Sequence, residues 1–293
     1  MTNRLAVVTD ADFPSLRQEE AILTAAGIRL QPPPGPVEAD LLADVRKANA
    51  LLVQQRPITQ KVLAAAPRLK VIACYGVGYD SVDVAAATKR RIYVCNVPDY
   101  CTDEVAGHAL SMLLALSRKL RVADRLVRTG GWTDFDVLKP MHTVTGQRLG
   151  IVGFGRIGQT LAQMAMALKM EVVAYDPLIS TASFEGLGVE QMDLAELLAS
   201  CHYVSLHLPL TPATEKLISR HRLALMRPGT YLINCARGRL VDEPALIEVL
   251  ASGHLAGVAL DVFWDEPVRP DNPLLSMDQV INSLSLNHIN FFV

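Results

Sequence analysis

Residues 153–158 match the pattern G-x-G-x-x-G, follow an apolar segment and open a helix-periodic one at 157–168. This order predicts a strand, a tight turn and a helix in immediate succession. Gly153 permits the turn, Gly155 lets backbone N–H groups approach an anion at the helix N-terminus, and Gly158 lets the helix lie close to the strand. The run therefore predicts a βαβ unit that binds the pyrophosphate of a dinucleotide.

An acidic residue ends the next apolar segment, because Asp176 follows 171–175 and lies eighteen residues beyond Gly158. A carboxylate at this place accepts hydrogen bonds from ribose hydroxyls and repels the 2′-phosphate of NADP. Asp176-Pro177 could also be a simple turn, but the complete glycine pattern upstream favours the ligand-binding interpretation. The sequence therefore predicts that 149–176 holds NAD.

Short apolar runs alternate with helix-periodic segments in two series, and this alternation is typical of open parallel sheets. The first series predicts five strands, at 5–9, 28–30, 50–53, 71–75 and 92–96. The second predicts six, at 149–154, 171–175, 203–208, 230–234, 257–263 and 280–286. Six parallel strands match a full Rossmann domain.

The 293 residues exceed the usual size of one hydrophobic core, which predicts two domains. The first series ends near 96–99, and a long helix is predicted from 103 to about 128, with Thr102 or Asp103 as its N-cap. The helix stops before Gly130-Gly131.

Composition excludes several classes of function. The formal net charge is −2 with no block of Lys and Arg, which argues against a nucleic-acid partner. No apolar run approaches the ~20 residues that span a bilayer. The five cysteines form no C-x-x-C pair, which favours reduced thiols and a cytoplasmic protein without a metal cluster.

Five stretches resemble the D-isomer-specific 2-hydroxyacid dehydrogenases over nearly the whole chain. They are 75–80 (Y-G-V-G-Y-D), 96–98 with 105–106, the glycine run, 234–238 (N-C-A-R-G), and 260–263 with 266–267. The resemblance implies an α/β protein with a flavodoxin-like, parallel-sheet substrate domain and a Rossmann NAD-binding domain. The substrate domain is expected over 1–98 with 287–293 as the remnant of a returning segment, and the NAD-binding domain over 99–286.

Three catalytic residues are implied by the same resemblance. Arg237 would hold the substrate carboxylate and polarise the carbonyl, which suits its guanidinium fork. His288 would be the general acid and base, and Glu266 would keep the pKa of that histidine high enough to carry a proton. From the residues alone, a surface arginine on a turn and a structural histidine are the more common cases.

The resemblance also implies binding residues and an assembly. Substrate contacts are expected at Val77 and Gly78, and Asp261 is expected near the nicotinamide carboxamide. The remaining cofactor contacts are expected at Arg156, Ile157, Leu208, Pro209, Cys235 and Ala236. A homodimer is expected, through the helix 103–128 and the arm that contains Trp132.

Two departures from the family pattern stand out. Gly107 replaces a glutamate that relatives commonly carry, and the stretch around His288 reads L-N-H-I-N-F-F-V where relatives read T-P-H-I-G and continue into a helix. We expect from this a truncated product with an exposed apolar patch and impaired chemistry but intact NAD binding.

Two functions follow from these expectations. The first is NAD-dependent oxidoreduction of a small 2-hydroxy acid or 2-keto acid, and the alternative is a catalytically impaired, dinucleotide-binding regulatory protein on the same scaffold.

Overall fold

The computed structural model describes residues 4–284, which form two compact units that meet in sequence between Tyr100 and Cys101. His288 and the predicted segment 287–293 lie outside the described residues. Among residues 4–284, no helix combines the length and the apolar character needed to cross a bilayer.

The first unit is a five-stranded parallel sheet with the strand order β2-β1-β3-β4-β5. Its strands are β1 (Arg4–Val8), β2 (Ile28–Gln31), β3 (Ala50–Val53), β4 (Val71–Cys74) and β5 (Tyr93–Cys95). Its helices are α1 (Arg17–Ala25), α2 (Glu38–Asp44), α3 (Gln60–Ala65) and α4 (Val84–Lys89). Side chains of Thr59 and Asp83 cap α3 and α4 by accepting backbone N–H bonds. All five predicted strands of this series are present.

The hydrophobic core of the first unit lies mainly on one face of its sheet. Leu51 and Val53 of β3 and Ile72 and Cys74 of β4 are buried, whereas the residues between them are half-buried. This alternation follows from the period of two in a strand, which sends successive side chains to opposite faces.

The second unit is a seven-stranded parallel sheet with the order β12-β11-β10-β9-β6-β7-β8. Its strands are β6 (Arg148–Val152), β7 (Glu171–Tyr175), β8 (Glu190–Gln191), β9 (Tyr203–Leu206), β10 (Tyr231–Asn234), β11 (Gly257–Leu260) and β12 (Val280–Asn282). Its helices are α5 (Thr102–Ser117), α6 (Leu120–Arg128), α7 (Arg156–Ala167), α8 (Thr181–Glu185), α9 (Leu194–Ser200), α10 (Arg220–Leu225) and α11 (Glu243–Ala251).

Strands β9 and β11 are buried at every position, as expected for a parallel sheet with both faces covered. The chain passes from β6 to β7 on one side, while β9 pairs with β6 on the other. This reversal of strand order creates a crevice at the carboxyl ends of β6 and β9, where sheets of this kind bind ligands.

Three details differ from the sequence-based expectation. The helix predicted over 103–128 is two helices, because Lys119 adopts a left-handed backbone with φ of 48° that ends α5 before α6 begins. Cys101, rather than Thr102 or Asp103, occupies the N-cap position. The two-residue strand β8 adds a seventh strand that is too short to show periodicity.

Candidate active site

The turn between β6 and α7 excludes side chains at two of its glycines. Gly153 has φ of +101°, and a Cβ atom there would lie 2.6 Å from the carbonyl carbon of His207. A Cβ atom on Gly158 would lie 2.2 Å from the carbonyl oxygen of Gly153. Backbone from two neighbouring strands and a helix thus converges at this turn, and only glycine fits at either position.

Gly155 is the N-cap of α7, and it faces open space. A Cβ atom at this position would have nothing within 4 Å. The first helical residues, Arg156 and Ile157, carry backbone N–H groups without a partner within the helix, and the helix dipole adds partial positive charge there. This geometry fits a pyrophosphate. The ring of Phe154, within the turn, stacks on the ring of Phe184 with 4.5 Å between the ring centroids.

Asp176 lies at the end of β7 with 7% of its surface exposed. One carboxylate oxygen accepts a hydrogen bond from the backbone N–H of Phe154 at 2.9 Å, and the other accepts from Leu178 at 2.9 Å. The side chain therefore ties the glycine turn to the end of the next strand. A carboxylate held this way can accept further hydrogen bonds from ribose hydroxyls.

His207 follows β9 beside the glycine turn. Desolvation of its imidazole lowers the pKa of His207 to about 4, and its Nε2 lies 2.8 Å from the hydroxyl of Ser205. Near neutral pH this ring is therefore uncharged. The next two residues differ in setting, since Leu208 packs against the core and Pro209 is exposed.

The loop after β10 is held by its own side chains. The Asn234 side chain accepts from the N–H of Ala236 at 3.1 Å and donates to the carbonyl of Arg237 at 2.9 Å. Nη1 of Arg237 donates to the carbonyl of Ala236 at 2.7 Å. A Cβ atom on Gly238 would lie 2.0 Å from the carbonyl oxygen of Phe263, so this loop packs directly on the segment that follows β11.

Cys235 is a buried thiol within this loop. Burial raises the pKa of Cys235, with the charge of Asp261 adding to the shift, and its Sγ lies 3.6 Å from Sδ of Met112. A thiol with a raised pKa is a poor nucleophile. The geometry therefore leaves Cys235 as a packing residue whose backbone is the part available to a ligand.

Asp261 ends β11 and contacts two residues that the sequence analysis did not identify. The Ser283 hydroxyl donates to its carboxylate, and Nε2 of His108 lies 3.0 Å from that hydroxyl and 3.3 Å from Oδ1 of Asp261. The sequence did contain a signal for His108, because it is a polar residue next to the apolar, buried positions Val105 and Ala109 of α5. Nothing local marks Ser283, which follows the last strand.

Glu266 is exposed, and its Oε1 accepts a hydrogen bond from the N–H of Phe263 at 2.9 Å. This contact closes the turn that follows β11. The predicted partner of Glu266, His288, lies outside residues 4–284, so their pairing stays a prediction.

Val77 and Gly78 belong to the first unit, in the loop after β4. The carbonyl of Val77 accepts from the Asn96 side chain at 2.8 Å, and both loop residues are half-buried. In the second unit, the glycine turn, Asp176, Arg237 and Asp261 all follow parallel strands, so they share the carboxyl edge of one sheet.

Comparison with known sequences identifies the second unit. The family model described as D-isomer specific 2-hydroxyacid dehydrogenase, NAD binding domain, matches residues 110–283. A D-3-phosphoglycerate dehydrogenase from Mycobacterium tuberculosis is 44% identical over 250 residues, covering 84% of this chain and 46% of that protein. A glyoxylate reductase from Korarchaeum cryptofilum is 41% identical over 251 residues, covering 84% and 75%. The chain thus spans about half the length of the phosphoglycerate dehydrogenases it matches.

Solved structures agree with this. A D-lactate dehydrogenase from Aquifex aeolicus, complexed with NAD and lactic acid, superimposes with a TM-score of 0.86 at 28% identity and covers 99% of this chain and 90% of that one. A protein from Thermus thermophilus gives 0.85 at 36% identity, covering 98% and 90%. The predicted α/β fold class and the predicted cofactor, NAD, are thereby confirmed. The chain belongs to the D-isomer specific 2-hydroxyacid dehydrogenase family.

Proposed function

We propose that this protein transfers a hydride between NAD(H) and a small D-2-hydroxy acid or 2-keto acid. The observation that carries the proposal is the shared edge of the second sheet, where an open helix N-terminus after β6 and Arg237 after β10 follow parallel strands. The names of the relatives, D-3-phosphoglycerate dehydrogenase and glyoxylate reductase, support the same reaction class.

Substrate binding is assigned to two loops. The guanidinium of Arg237 binds the carboxylate and polarises the carbonyl of a 2-keto acid, because its planar fork matches two oxygens at once. Backbone groups of Val77 and Gly78 are also assigned to substrate binding. Under this proposal the first domain, 1–98, binds substrate and the second, 99–286, holds NAD.

Cofactor binding is assigned to the carboxyl edge of the second sheet, and NAD supplies or accepts the hydride when bound. Backbone N–H groups near Gly155 bind the pyrophosphate, and Asp176 accepts from the adenosine ribose. Asp261 contacts the carboxamide of the nicotinamide. The remaining contacts are proposed at Gly153, Arg156, Ile157, Gly158, Leu208, Pro209, Cys235 and Ala236.

Proton transfer is assigned to His288, with Glu266 as its partner. A protonated imidazole donates to the carbonyl oxygen during reduction and takes the proton back during oxidation. A carboxylate partner stabilises the charged ring and so raises its pKa toward the working range.

The test follows NADH absorbance with glyoxylate, hydroxypyruvate and pyruvate. We expect turnover of at least one acid, and we expect Arg237→Gln to lower kcat/KM by about 1000-fold through loss of the bidentate contact. Arg239→Gln is the matched control, since this exposed arginine lies two residues away and pairs with Glu215 at 4.0 Å. Saturable NADH binding without oxidation of any acid would instead support the regulatory alternative.

A homodimer and a cytoplasmic location complete the proposal. Residues 120–137 expose five large apolar side chains. None of the five cysteines, all of which lie within residues 4–284, is in a disulfide, which suits a reducing compartment. The exposed side chains are Leu120, Val127, Trp132, Phe135 and Val137. Sedimentation of the purified protein should give a dimer, and Trp132→Asp should shift it toward the monomer.

A further inference from the structure

Three loops of the first unit begin side by side at the carboxyl edge of its sheet. Strand β3 lies between β1 and β4, and its end bonds both neighbours: Thr9 N–H donates to Leu52 and Tyr75 N–H donates to Val53, each at 2.9 Å. The loops that start at Asp10, at Gln54 and at Tyr75 therefore emerge together. In open α/β sheets this edge is where ligands bind.

Three successive backbone N–H groups of the middle loop converge on one carboxylate. Oδ1 of Asp10 accepts from Gln54 at 3.1 Å, and Oδ2 accepts from Gln55 at 2.6 Å and from Arg56 at 2.8 Å. The hydroxyl of Thr9 donates to the same carboxylate at 2.7 Å. Successive N–H groups of this kind form a concavity that binds phosphate in many proteins. Here the chain's own aspartate occupies it.

The arginine of the same loop is engaged by backbone oxygens. Nη1 of Arg56 donates to the carbonyls of Thr9 and Gly35, at 3.3 and 3.0 Å. Nη2 donates to the carbonyls of Pro36 and Val37, at 3.2 and 3.0 Å. This guanidinium therefore anchors the proline-rich segment to the edge of the sheet, and its donors are directed at protein rather than at a ligand.

The charge of Asp10 also reaches side chains at the end of the neighbouring strand, β4. Burial raises the pKa of Tyr75, and the negative charges of Glu19 and Asp10 raise it further. Burial likewise raises the pKa of Cys74 to about 11, with Asp80 and Asp10 among the charges that contribute. Asp10 thus acts on the loop that contains Val77 and Gly78 as well as on its own amide partners.

We infer that the carboxyl edge of the first sheet accepts 2-hydroxy and 2-keto acids with a short, uncharged tail and rejects those that carry a phosphate ester. Asp10 is the specificity-determining residue. A phosphate would have to displace this carboxylate from its three N–H partners or lie beside it with its charge uncompensated. The inference rests on the proposed function, because that function assigns the substrate to this edge. It separates this chain in substrate class from relatives named D-3-phosphoglycerate dehydrogenase.

The decisive measurement compares hydroxypyruvate with its phosphate ester in the NADH assay. We expect kcat/KM of the unmodified protein to favour hydroxypyruvate by about 100-fold, because a phosphate has to displace the Asp10 carboxylate from its three N–H partners. Asp10→Ala vacates the N–H groups and should shrink that preference to about 10-fold or less. The matched control, Asp12→Ala, removes the same charge from the same loop and should leave the preference unchanged. Its carboxylate meets the Gln54 side chain at 3.3 Å rather than the loop amides.

Equal or better turnover of the phosphate ester by the unmodified protein would overturn the inference, whatever the variants do. If no 2-keto acid is reduced, the proposed function fails, and calorimetry with NAD present still tests the inference by comparing D-glycerate with its 3-phosphate. Tighter binding of the phosphate ester would then overturn it, and tighter binding of D-glycerate would support it. If Asp10→Ala does not fold, the preference of the unmodified protein decides alone.

Discussion

The carboxyl edges of the two sheets use an aspartate in the same way but to opposite effect. Asp176 accepts one N–H from the glycine turn and leaves the N-terminus of α7 open at Gly155. Asp10 accepts three successive N–H groups of the neighbouring loop. One edge therefore presents donors to an outside anion, whereas the other neutralises its donors internally.

The two edges differ in how many backbone N–H donors remain available once hydrogen bonds within the protein have formed. Backbone N–H groups at a helix N-terminus have no partner within the helix, and a glycine without a Cβ leaves them accessible. The N–H groups of 54–56 already donate to the carboxylate of Asp10. An anion site thus requires free donors as well as convergent ones.

A side chain that blocks the glycine turn of the second sheet should have the largest effect on NAD binding. Gly158→Val places side-chain atoms where a Cβ already lies 2.2 Å from the Gly153 carbonyl oxygen, so α7 must move away from the turn. We expect NAD binding to weaken by at least about 1000-fold and unfolding free energy to fall by about 3 kcal/mol. Fluorescence titration and urea denaturation measure the two effects.

Gly107→Ala is the control for that variant. A Cβ atom on Gly107 meets nothing within 4 Å, and the residue lies inside α5. Alanine there should raise unfolding free energy by about 1 kcal/mol without changing NAD affinity. Retained NAD binding in Gly158→Val would contradict the close-packing explanation.

His207, the uncharged histidine beside the glycine turn, should make the free energy of unfolding depend on pH. Burial keeps the pKa of His207 near 4 in the folded protein, whereas an unfolded histidine titrates near 6.5. As pH falls below 6.5 the unfolded chain gains a proton that the folded chain does not, so unfolding free energy falls, by at most about 3 kcal/mol near pH 4. Denaturation of His207→Gln between pH 7 and 4 should lack this slope, while His221→Gln, at an exposed site, should keep it.

A carboxylate placed at the N-terminus of α7, as Asp10 is placed on the N–H groups of 54–56, should weaken NAD binding. Gly155→Asp puts a carboxylate into open space at the N-cap of α7, a position where aspartate also favours the helix. NAD affinity should fall by about 100-fold while thermal stability holds or rises slightly. A parallel loss of stability and affinity would show damage to the fold instead of competition for the donors.

The smallest effect is expected from removing charge without removing the hydrogen bond. Asp176→Asn can still accept from the Phe154 N–H, but it no longer repels a 2′-phosphate. We expect NAD affinity to fall by about 10-fold and the preference for NAD over NADP to narrow by a similar factor. Glu196→Gln, an exposed change of equal charge in the same unit, should alter neither value.

Local spacing explains why the glycine turn and Asp176 were predictable. The strand, the glycines and the helix are adjacent in the chain, and steric exclusion at Gly153 and Gly158 acts over a few residues. The end of α5 at Lys119 was not predictable, because a left-handed backbone is usually marked by a glycine and this position holds a lysine. The His108–Ser283–Asp261 contacts join α5 to residues up to 175 positions away, which only strand order brings together.

The chain by itself determined two α/β units, an NAD-binding turn and membership of a dehydrogenase family, because these depend on periodicity, spacing and motif. Folding in three dimensions decided which donors remain for a ligand. Asp10 looks like any acidic residue after a strand until β1 and β3 pair and place its carboxylate on the N–H groups of 54–56. This placement depends on which strands become neighbours. Hydrogen bonds between residues more than forty positions apart cannot be predicted from the local sequence around either one.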